Sequence, residues 1–108
     1  MDKSEVKLKL KKELVNPNSY NNWHGITEQN INNFIVEPFA VSVDPDDLET
    51  ENRMMWVVLQ MKANLKEGYA IAFDPLQEAW SVIEYTGTEN NFIQVVAGES
   101  LAEALDSM

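Results

Sequence analysis

His24 stands beside Trp23 and is the chain's single histidine, the one side chain whose unperturbed pKa suits general acid-base work near neutrality. Catalysis would require company. Glu28 follows at four residues, and Ser19 and Tyr20 are near in sequence, but they form no recognisable order of nucleophile, base and orienting group. With no cysteine and no second histidine, no imidazole or thiolate metal site is implied, and no cofactor motif is present. His24 therefore reads first as a structural or loop histidine. A small ligand-binding domain or enzyme using His24 with the Glu28 carboxylate, in a pocket between a second helix and the sheet, is the alternative.

The densest chemistry is carboxylate. Asp44, Asp46, Asp47, Glu49 and Glu51 fall within residues 44–53, whose one cation is Arg53. Their spacing invites comparison with a calcium loop, and the comparison fails: Glu49 would occupy the glycine position and Met55 that of the bidentate glutamate. Such a cluster can instead steer and hold a cationic protein, with Tyr20 and Trp23 as aromatic anchors. Asp74, Glu78 and Glu84 flank Trp80, the composition of a glycosidase pair beside a stacking ring, but that chemistry needs a deep cleft, for which a small domain has little substance.

Over the whole chain, eighteen acidic residues oppose eight basic ones, a net charge of −10. Five of the cations, Lys3, Lys7, Lys9, Lys11 and Lys12, lie in the first twelve residues, leaving three against sixteen carboxylates from residue 13 onward. That field repels phosphate backbones and anionic lipid, so neither nucleic acid nor membrane is an expected partner. The lysines at positions 3, 7 and 11 then read as the solvated face of a helix. No apolar run approaches the length of a secretory core or a membrane span, which makes the cytoplasm the expected location.

The elements that must position these residues follow from periodicity. Val6, Leu10 and Leu14 recur at i, i+4, i+8 behind Ser4 as cap and before Asn16-Pro17 as stop, so a helix is expected rather than the strand that Val6, Leu8 and Leu10 would also permit. Thr27 as cap, with Ile26 and Ile31 at staple spacing, predicts a second helix over 28–35. Phe39, Val41 and Val43 share a strand face; residues 54–61 are apolar on both faces, as in an interior strand; 69–73, 80–85 and 92–96 supply three more. Ser100-Leu101-Ala102-Glu103 has capping-box form and opens a terminal helix.

The expected fold is α+β: an antiparallel five-stranded sheet, most simply a meander, with two N-terminal helices and one C-terminal helix in the order ααβββββα, as a single domain over 1–108. Helices this short cover one sheet face, so an uncovered apolar face would imply a second copy or another partner, and a homo-oligomeric structural protein is a further alternative. A small, acidic, cysteine-free α+β chain with one carboxylate-rich loop is similar, as a class and without a shared motif, to small bacterial immunity or antidote proteins. The functional expectation is a non-enzymatic cytoplasmic protein-binding domain, an inhibitor or adaptor, that docks a basic protein through Asp44, Asp46, Asp47, Glu49 and Glu51.

Overall fold

A computed structural model of the chain describes residues 2–15, 30–44, 53–62, 67–86 and 91–107. Helix α1 (Lys3–Val15) buries Val6 and Leu10, half-buries Leu14 and leaves Leu8 exposed. The helical period thus prevails over the competing period of two. Its cap is Asp2 rather than Ser4: the Glu5 N–H donates to Asp2 Oδ1 at 3.0 Å.

The predicted second helix does not form over its described part. A single 3-10 turn, Ile31–Asn33, occupies that stretch, and strand β1 (Ile35–Asp44) has begun two residues later. Asn30, Asn32 and Asn33 favour turns, and the β-branched pair Ile35-Val36 favours extended backbone. Tertiary pairing adds to both preferences, because the Gln60 N–H donates to the Phe34 carbonyl at 2.9 Å.

Strands β2 (Arg53–Gln60), β3 (Ala70–Asp74), β4 (Ala79–Tyr85) and β5 (Asn91–Gly98) follow in a meander. Each consecutive pair is antiparallel. The sheet then closes into a five-stranded barrel. An odd number of alternating strands sends the first and last the same way, so the closing pair must be parallel: Ser42, Val43 and Asp44 lie opposite Asn91, Phe92 and Ile93.

Closure turns the two sheet faces into an inside and an outside. Val43, Met55, Val57, Ala70, Ala72, Ile83 and Phe92, drawn from all five strands and from no helix, fill the barrel. On the outer face Val58, Ile71, Phe73, Trp80 and Val82 pack with Val6 and Leu10 of α1 and with Leu101 and Leu105 of helix α2 (Leu101–Ser107). β2 is apolar on both faces because each is covered, Met55 and Val57 in the inner cluster and Trp56 and Val58 in the outer one, and a register shift between Val57 and Leu59 carries Leu59 to the outer cluster too. The barrel covers one sheet face with itself, so no face of the sheet is wholly uncovered. Ser100 caps α2 as expected, the Glu103 N–H donating to Ser100 Oγ at 3.1 Å, while Glu103 Oε2 accepts not from the cap residue but from the Glu99 N–H before it, at 2.8 Å.

Ion pairs tether α1 to β1. Lys7 Nζ lies 2.6 Å and Lys3 Nζ 3.5 Å from Glu37 Oε1. The Lys7 hydrogen bond, helped by the charges of both lysines, holds the Glu37 carboxyl below its ordinary value. A carboxylate whose pKa is lowered by folding adds stability above its unfolded pKa and loses it as pH falls through the folded value. Melting temperatures of the native chain and Glu37→Gln are accordingly expected to differ at neutral pH and to converge on acidification to about pH 3.

Candidate functional site

Asp44 ends β1 at the barrel seam, exposed, opposite Ile93. It opens the carboxylate-rich connection to β2. Asp46, Asp47, Glu49 and Glu51 lie outside the described residues, as do Tyr20, Trp23, His24 and Glu28. The helix meant to wall the His24 pocket is not formed over 30–35, where the chain is a 3-10 turn running into β1.

The far end of the acidic connection is Arg53, the first residue of β2, opposite Val43. Its side chain, 15% exposed, turns to Asp74 at the end of β3, with Nε 3.4 Å from Oδ2. Neither atom makes a hydrogen bond, so the contact is charge on charge. Asp74 Oδ1 accepts from the Leu76 N–H at 3.0 Å, an Asx turn that starts the β3–β4 connection. With its carboxylate 1% exposed and committed to Arg53 and Leu76, Asp74 is unavailable for glycosidic chemistry.

One cleft does form beside Trp80, and the sequence reading missed it. It encloses about 360 Å³ and is lined by Lys9, Lys12 and Glu13 of α1, Phe73, Glu78, Trp80 and Glu99. Phe73 and Trp80 lie opposite one another on β3 and β4, their ring centroids 4.9 Å apart and tilted by 59°. Lys9 spans the cleft, with Nζ 5.6 Å from the Phe73 centroid and 3.5 Å from Glu78 Oε1. Glu78 adopts φ 51°, the left-handed region, in the β3–β4 turn.

Of the three carboxylates that flank Trp80 in sequence, only Glu78 reaches this cleft. Asp74 points to the opposite side of β3, and Glu84 is exposed four residues farther along β4. Both rings are buried, which makes them core beneath the cleft rather than a platform within it. Among the described residues the lining holds no histidine and no hydroxyl or thiol nucleophile, and Lys9 is already engaged with Glu78. The available signal was the pair of large rings at positions 73 and 80, one turn apart on neighbouring strands, below a helix bearing Lys9, Lys12 and Glu13.

Among the described residues, no group of three histidine, cysteine or acidic side chains could hold a metal ion, and no helix is long and apolar enough to cross a membrane. No family model, no curated protein and no solved structure matches this chain.

Proposed function

We propose that this chain is a small, acidic, non-enzymatic protein-binding domain of the cytoplasm that docks a basic partner through Asp44, Asp46, Asp47, Glu49 and Glu51, with Tyr20 and Trp23 as anchors. The observation that supports this reading is the commitment of Arg53. It is the one cation of the acidic stretch, and its guanidinium lies against the buried carboxylate of Asp74. Three lysines of α1 are likewise engaged, Lys3 and Lys7 with Glu37 and Lys9 with Glu78. A carboxylate cluster whose neighbouring cation is spent elsewhere keeps its field for an external one.

The test is capture from lysate of the protein's own cells on the native chain and on a variant with the five acids changed to Asn or Gln, both shown to be folded by circular dichroism. The native chain should retain a basic protein that the variant loses, and its association rate should fall about tenfold or more from low to high salt. Retention indifferent to both the substitutions and salt would overturn the assignment of this surface.

A further inference from the structure

Among the described residues, four buried side-chain atoms make no hydrogen bond within the protein: Arg53 Nε, Asp74 Oδ2, Ser81 Oγ and Gln94 Oε1. They come one each from β2, β3, β4 and β5. All four residues belong to the inner face of the barrel. Arg53 lies opposite Val43 and Gln94 opposite Ile83, both members of the inner cluster, and residues paired across strands share a face. Asp74 and Ser81 each sit two residues along a strand from an inner residue, Ala72 and Ile83. Asp74 is 1% exposed and Ser81 0%.

The register makes these residues neighbours in turn. Arg53 Nε lies 3.4 Å from Asp74 Oδ2. Asp74 pairs with Ala79, two residues before Ser81, and Gln94 pairs with Ile83, two residues after it. Ser81 is thus the diagonal neighbour of both, at about 7–8 Å between Cα atoms. No direct bond joins its hydroxyl to either. Two hydrogen bonds meeting on one oxygen span about 4.5–5.5 Å between the groups they join, a reach that suits such a diagonal.

We propose that this polar belt is an internal hydration site, where one or more ordered waters bridge Asp74, Ser81 and Gln94 and accept from Arg53. The four atoms select the occupant. Two only accept, one only donates and the hydroxyl does either, so the occupant must donate and accept at once. An ammonium group has no acceptor for Arg53, and an anion has no donor for Asp74 or Gln94. Arg53 and Asp74 also neutralise each other, so no counter-ion is called for. Size removes organic molecules: a five-stranded barrel is narrower than the eight-stranded one that side chains just fill, and Val43, Met55, Val57, Ala70, Ala72, Ile83 and Phe92 already occupy this one. Water meets each condition, with two to four polar partners within reach. The inference is independent of any docking through the acidic stretch.

Relaxation dispersion of the water oxygen, measured on the full chain, counts waters that stay longer than the protein takes to tumble. The native chain should show at least one. Ser81→Ala and Gln94→Met, each shown to be folded by circular dichroism, should lower the dispersion amplitude by about half or more. Ser42→Ala, on the exposed outer face of β1, should leave it unchanged. A native chain without a long-lived water overturns the proposal, as does an amplitude that survives both inner substitutions or falls equally in Ser42→Ala. A crystal structure of the native chain decides without any substitution. Water within hydrogen-bond distance of Ser81 Oγ and Asp74 Oδ2 supports the site, whereas direct bonds among the four side chains, or an ion or organic molecule upon them, overturn it.

Discussion

Asp74→Ala is expected to lower the free energy of unfolding by about 3–5 kcal/mol, the cost of leaving a buried charge without its partner. The carboxylate is almost wholly enclosed and Arg53 is largely so, with the two charges 3.4 Å apart. Removing the acid strands the guanidinium and also removes the acceptor of the Leu76 N–H. Asp74→Asn keeps that acceptor and should cost less. The double variant Arg53→Met with Asp74→Asn should recover most of the loss, because a buried ion pair as a whole contributes little beyond what an apolar contact of similar volume would. Urea denaturation of the four proteins checks this. A double variant as unstable as Asp74→Ala would show that the stranded guanidinium does not set the cost.

Phe73→Ala should cost a similar amount, about 3–5 kcal/mol for a fully buried ring. The ring packs against Trp80 and lies under Lys9, so its removal opens a cavity between the barrel and α1. Val6 and Leu10 of α1 belong to the same cluster, so loss of helical signal should accompany the drop in stability. Phe73→Leu retains much of the volume and should cost about half as much or less. Leu76→Ala, on the exposed turn nearby, should stay within about 0.5 kcal/mol of the native chain. Chemical denaturation followed by circular dichroism measures all three.

The local elements were legible because their signals are local. Val6, Leu10 and Leu14 mark α1, and Ser100 with Glu103 marks α2 through a contact spanning three residues. The alternation of Ile71 and Phe73 with Ala70 and Ala72 marks a strand whose inner side must be small to fit a five-stranded barrel. The helix expected over 28–35 gives way over its described part, 30–35, where Asn residues and Ile35-Val36 favour a turn and a strand. Closure was not legible, since nothing in Ser42 or Asn91 announces the other. The site divides in the same way. The acidic run of Asp44, Asp46, Asp47, Glu49 and Glu51 is plain in the sequence, but only folding shows that Arg53 faces Asp74 and that Lys9 lies across Phe73 to Glu78. Neither pairing has a periodicity by which to predict it.

The parallel seam also bears on how the barrel is made in time. Every antiparallel pair joins strands that are neighbours along the chain, whereas Ser42 and Asn91 are separated by nearly half its length. The entropy of closing so long a loop is lost before its three pairs give anything back. Hairpins β2–β3–β4–β5 can assemble first and present β1 with a finished edge, which places the seam late on the folding route. Contacts made late hold the native state chiefly by slowing its unfolding. The few residues of the seam thus set how long the barrel stays shut more than how fast it forms.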